Sequence, residues 1–168
     1  MIRSINGKTP KIAKSAFISE AAYVVGDVEI GERSSIWPMA VIRADFGSIK
    51  VGSETKIEDC TVVHSGGNVE IGNNVTIGHS VVMHGAKIGN HTLIGSNATI
   101  LDDVEIGSFC IIGAGSLVSQ GMKIPDYSFV VGSPAEVKKK ISQQQLGRLT
   151  RGSQVYLDLA QQYKEKGL

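Results

Sequence analysis

Three histidines define the chemistry this sequence can support: His79 and His84 form a His-x4-His pair, and His64 lies upstream of them. Neutral imidazole is the commonest protein ligand of borderline divalent ions, and three imidazoles on one ion leave a coordination position open for chemistry. The competing reading is that His64 and His84 merely line a polar groove. The fourth histidine, His91 in Gly89-Asn90-His91-Thr92, has no partner in this pattern and reads as a solvated corner residue. Cys60 and Cys110 lie far apart and outside any CxxC motif, so they read as buried free thiols rather than a disulfide framework.

Positioning these side chains falls to an internal repeat. Ile88, Ile94, Ile100, Ile106, Ile112, Val118 and Ile124 recur every six residues, with glycine following at 89, 95, 107 and 113. Ile30, Ile36 and Ile42, then Val51, Ile57 and Val63, then Ile71, Ile77 and Met83 keep the same beat between short insertions. A six-residue period fits neither an amphipathic helix nor a single alternating strand. It fits short strands joined by tight corners, each aliphatic residue pointing inward and glycine easing the turn. The pattern resembles the left-handed parallel β-helix, an all-β solenoid in which three hexapeptides make one triangular coil. The handedness comes from the resemblance, since the general crossover rule favours the other hand.

Three hexapeptides per coil place Ile42, Val63, Met83 and Ile100 in one inward column. Arg43, His64, His84 and Leu101 then form the adjoining outward column. Neighbouring strands lie roughly 4.7–4.9 Å apart, so stacked imidazoles at 64 and 84 can lean onto one ion. His79 follows Ile77 by two positions and belongs to another part of the perimeter. If all three bind one ion, His79 must come from an adjacent subunit, and a closed cyclic homotrimer with three sites is the natural assembly.

The repeat spans about residues 11–132 and ends at Gly132-Ser133-Pro134-Ala135. This divides the chain into a β-helix domain, 1–135, and a C-terminal tail, 136–168. Residues 136–166 read as helix, broken near Gly147 or Gly152, with Val155, Leu159 and Tyr163 on the stripe that packs against the coil. The balance of 17 basic and 16 acidic residues leaves a net charge of +1, and no basic run is long enough to follow a phosphate backbone, so nucleic acid is excluded as a partner. The N-terminus has no apolar signal-like stretch and no segment is long enough to span a bilayer, which places the protein in the cytoplasm with no membrane partner.

Ile42-Arg43-Ala44-Asp45, Glu58-Asp59-Cys60-Thr61-Val62-Val63-His64 and Gly78-His79-Ser80-Val81-Val82-Met83-His84-Gly85 together resemble the γ-class carbonic anhydrases. In its compactness the chain is similar to family members labelled ferripyochelin-binding or carbonic-anhydrase-like. The resemblance runs almost end to end, including the Gly-Ser-Pro-Ala exit and the C-terminal helix. It implies that His64 and His84 of one subunit and His79 of another hold Zn2+, or Fe2+ or Co2+. It further implies that metal-bound hydroxide attacks carbon dioxide to give bicarbonate. Arg43, Asp45 and Asp59 are implied in an ion-pair network beside the metal, with Arg43, Asp45 and Glu58 as candidate catalytic residues.

This sequence departs from the family pattern in two respects. Lys56 and Glu58 stand where the family has asparagine and glutamine, and an ionised glutamate only accepts hydrogen bonds whereas glutamine also donates. Glu58 thus polarises the nucleophile, acts as a base, or disables the site. The acidic proton-shuttling loop of the larger archaeal type also has no counterpart, since Phe46-Gly47-Ser48 and Ser65-Gly66-Gly67-Asn68 are short and uncharged. Tyr127 is the candidate for the family's active-site tyrosine. Three rivals remain: an acyltransferase of the same fold, an acyl-CoA thioesterase, and a non-catalytic trimeric protein that keeps the metal for cohesion.

Overall fold

The computed structural model describes residues 1–151 and 153–167. Its architecture is a left-handed parallel β-helix with helices at the C-terminal end. Every residue of the long six-residue series, from Ile88 to Ile124, is buried in one continuous core. Each strand is only two or three residues long in most coils; strands such as Thr99–Ile100 bury one aliphatic side chain, whereas Val69–Ile71, Ala86–Ile88 and Val104–Ile106 bury their first and last residues and expose the middle one.

Three faces result. The first carries the early halves of Tyr23–Ile30 and Val41–Val51, then Val62–His64, Val82–His84, Thr99–Ile100 and Leu117–Val118. The second carries the later halves of those two long strands, then Val69–Ile71, Ala86–Ile88, Val104–Ile106 and Lys123–Ile124. Because Tyr23–Ile30 and Val41–Val51 run through the corner, these two faces form one hydrogen-bonded sheet. The third runs from Phe17–Ile18 through Lys56–Ile57 and Thr76–Ile77 to Ser128–Gly132.

The corners differ from the sequence expectation. Positive φ falls mainly on non-glycine residues, among them Arg33, Glu54, Asn74, His91, Phe109 and Tyr127 stacked at one corner, and Met39, Cys60 and Ser80 at another. The repeat glycines serve coil stacking instead. A Cβ on Gly89 would lie 2.5 Å from the Gly107 carbonyl carbon, so only hydrogen fits between these coils. Cys60 is consequently exposed at its corner, whereas Cys110 is buried as expected.

Residues 136–140 also depart from expectation, forming the strand Ala135–Lys140 rather than helix. The last coil would otherwise leave an edge of unpaired backbone groups, and this strand folds back antiparallel on Ser128–Gly132 to pair them. Helix α1 follows at Gln143–Arg151, running through Gly147, and helix α2 at Ser153–Lys166. The other expected break, Gly152, lies outside the described residues. α2 docks on the third face through Tyr156, Leu159, Ala160 and Tyr163, which surround Phe17 and Trp37. Val155, expected on the packed stripe, is 73% exposed.

On the second face the outward residues form one column of alternating charge: Lys11, Glu29, Lys50, Glu70, Lys87, Glu105 and Lys123. Each pair is a cross-strand neighbour of opposite sign, and the terminal pairs close to 3.4 Å. Lys87→Glu would place three glutamates in a row. Stability in thermal unfolding should fall by about 0.5–2 kcal/mol at low salt, with the loss shrinking as salt is added; an unchanged midpoint at low salt would contradict this.

Candidate metal centre

The inward positions of Val63 and Met83 force the next residue of each strand outward, and the parallel ladder holds Arg43, His64 and His84 on successive rungs. The two imidazole rings lie with centroids 5.3 Å apart. Each is backed by a carboxylate. Asp45 Oδ1 lies 3.1 Å from His64 Nε2, and its other oxygen accepts from Arg43 Nη1. Asp102 Oδ1 lies 2.8 Å from His84 Nδ1. Gly85, at φ +75°, makes room for that contact, since a Cβ there would meet Asp102 Oδ1 at 2.6 Å.

His79 occupies the corner where the chain passes from the third face to the first. Four residues separate it from His84, and the chain turns between them at Ser80, with φ +56°. It stands between two carboxylates of its own chain: Nδ1 lies 3.0 Å from Asp59 Oδ2, and Nε2 lies 3.2 Å from Glu58 Oε2. Half of its side chain is exposed, whereas that of Glu58 is nearly buried. Among the described residues, no three His, Cys, Asp or Glu of one chain converge to hold a metal. The donor chemistry nonetheless suits a divalent ion, because carboxylate-backed imidazoles are the usual form of histidine ligands.

Burial pushes the Asp45 carboxyl up, but a hydrogen bond from its own backbone, the hydrogen bond and charge of Arg43 and the contact with His64 outweigh it. The carboxyl is held below its ordinary range. Behind His79, Lys56 is almost buried, with Nζ 4.2 Å from the centre of the Tyr156 ring. Burial pushes the Lys56 ammonium down, partly opposed by the charge of Glu58. The Tyr156 hydroxyl is pushed up, first by burial, then by the charge of Glu58 and a hydrogen bond shared with it, then by Asp59.

The sequence residues thus fall into two groups, Arg43, Asp45, His64 and His84 on one edge of the first face, and Glu58, Asp59 and His79 on the other. Tyr127 belongs to neither. It stacks on Phe109 at 5.0 Å, which stacks on His91 at 4.8 Å, along a different corner. Two site residues escaped sequence reasoning. Asp102 follows Leu101, the residue already placed in the histidine column, so the repeat could have found it. Tyr156 carried no such signal, because its place depends on how α2 docks.

Residues 85–120 match the family model described as bacterial transferase hexapeptide (six repeats). The carbonic anhydrase of Geobacillus kaustophilus is 40% identical over 98% of this chain and 91% of its own length. The mitochondrial γ-carbonic anhydrase 2 of Arabidopsis thaliana is 37% identical over 95% of this chain, which spans 60% of that relative's length. The chain belongs to the γ-carbonic anhydrase family. A crystal structure of a putative acetyltransferase from Bacillus cereus, 38% identical, superposes with a TM-score of 0.94 over 98% of this chain and 96% of that one. The hexapeptide scaffold of this γ-carbonic anhydrase family member is therefore shared with a chain that carries a transferase name.

Because Asp45 ionises more readily in the fold than in the unfolded chain, its stabilisation is complete above the ordinary carboxylate value of about 3.8. It is lost as pH falls through the lower folded value. Asp45→Asn should therefore show a shallower decline of melting temperature below pH 4 than the parent. Parallel declines would contradict the Arg43–Asp45–His64 arrangement as the cause.

Proposed function

We propose that this protein catalyses the reversible hydration of carbon dioxide to bicarbonate at a divalent metal centre formed between subunits of a homotrimer. The observation that carries this reading is the pairing of His64 with His84, each backed by a carboxylate, on the opposite edge of one face from a third carboxylate-flanked imidazole. His64 and His84 of one subunit and His79 of its neighbour would hold the ion, zinc or else iron(II) or cobalt(II). A bound divalent ion supplies a Lewis acid that acidifies water.

The chain's own groups then have distinct tasks. Asp102 Oδ1 holds the Nδ1 proton of His84 and so turns Nε2 toward the ion, and Asp45 fixes the His64 ring. Arg43, one rung away in the same column, offers a permanent positive charge to orient bicarbonate. Tyr156 is a better candidate for the site tyrosine than Tyr127, because it lines the same cavity as Glu58.

The trimer reading is supported by the first face itself. Its outward column of Tyr23, Val41, Val62, Val82, Thr99 and Leu117 is uncharged and apolar but for Thr99, with Val82 46% exposed, while the second face carries alternating charge. Phe46, 76% exposed, stands beside His64. Such a surface beside an incomplete site is suited to a second copy. The acyl-transfer alternative rests on the shared scaffold, and about one metal ion per chain would disfavour it.

Stopped-flow hydration with zinc-, cobalt- and iron-loaded protein should show catalysis that falls to the uncatalysed rate in His84→Ala. A metal-loaded parent no faster than buffer would refute the activity. Asp102→Asn should weaken zinc binding roughly 10–100-fold in chelator competition, and unchanged affinity would remove its assigned role.

A further inference from the structure

Glu58 departs from the family pattern, and its surroundings are those of a ligand rather than a spare acceptor. Building on the metal-site reading above, we infer that Glu58 is itself a metal ligand. One of its carboxylate oxygens joins His79 of the same chain and His64 and His84 of the neighbouring chain in a shell of three histidines and one carboxylate.

Three observations converge on this. The first is separation. Glu58 Oε2 and His79 Nε2 stand 3.2 Å apart. Two donors bound to one ion at about 2.0–2.2 Å and near the tetrahedral angle sit roughly 3.3–3.6 Å from each other. No rearrangement of the chain is required for both atoms to reach the same ion.

The second is proton accounting on His79. A neutral imidazole has one donor and one acceptor nitrogen. Asp59 Oδ2 stands 3.0 Å from Nδ1, the nearer of the two carboxylate contacts, and is the natural acceptor for the proton of a neutral ring. The lone pair of Nε2 then faces the lone pairs of a carboxylate oxygen, which is repulsive unless a positive charge lies there. In the metal-free chain a second proton supplies that charge, and a metal ion in the proton's place would draw on the same two lone pairs.

The third is that the carboxylate is held from behind. Glu58 is almost buried, and the nearly buried Lys56 stands two residues before it in the chain. An anionic oxygen binds a divalent ion far better than an amide oxygen does. Three histidines with a carboxylate would fill four positions, so the water of the proposed reaction would take a fifth.

The direct test is a crystal structure of the zinc-loaded protein with anomalous density at the zinc edge. A Glu58 oxygen at about 2.0–2.2 Å from zinc is expected. Zinc held by the three histidines with both Glu58 oxygens beyond about 3 Å overturns the inference while leaving the metal centre intact. Zinc found elsewhere overturns both. In chelator competition, Glu58→Gln should lose zinc affinity by about 100-fold or more, above the roughly 10–100-fold range of outer-shell partners. Tyr156→Phe, which keeps the carboxylate, should lose less than about tenfold. Equal affinity of Glu58→Gln and parent contradicts the inference even if no crystal is obtained.

Discussion

The parallel hydrogen-bond ladder between successive coils holds each residue of one coil beside a fixed residue of the next, and every feature of the site depends on that register. Val41–Val51 sets Arg43 beside His64, and Val62–His64 sets His64 beside His84. A slip of one residue would turn Val63 and Met83 outward and bury the imidazoles in an aliphatic core. Burial of aliphatic side chains from every coil, repeated through the solenoid, makes such a slip prohibitively costly. The glycines that permit close coil contact, such as Gly89, and the charge column of the second face act toward the same end.

The same constraint explains why the site is divided. A triangular coil presents each residue on one face or corner only, so histidines at the start and end of a single face cannot meet within one chain. What the fold does provide on each side is a carboxylate for every imidazole: Asp45 for His64, Asp102 for His84, Asp59 and Glu58 for His79. Three imidazoles flanked by four carboxylates form an electrostatic environment that favours a cation. The apolar column beside them favours a neighbour that brings the two halves together.

Much of this was legible in the sequence, and the rest was not for identifiable reasons. The six-residue ruler gave the inward residues, hence the stacking of Arg43, His64 and His84, because burial and register share one period. It also showed that His79 lies elsewhere. Features outside the period stayed hidden. The strand Ala135–Lys140 looks helical by composition, yet the edge it caps decides its conformation. Tyr156 faces the core of the docking interface while Val155 faces solvent, a rotation of α2 fixed by Trp37, Phe17 and Lys56 on a distant part of the chain. Cys60 reads as a buried thiol until its corner conformation, with φ +60°, turns it outward.

The central claim, that two chains share each metal centre, is tested most directly by subunit mixing. His79→Ala and His84→Ala variants are each prepared metal-free, unfolded together in equal amounts, and refolded with zinc. Each variant alone should lose the tight zinc binding of the parent. Random trimers should recover about a quarter of the parental sites, since one interface in four then pairs an intact His64–His84 edge with an intact His79. Recovery of no sites in the mixture, while the refolded parent binds zinc fully, would contradict a centre built from two chains.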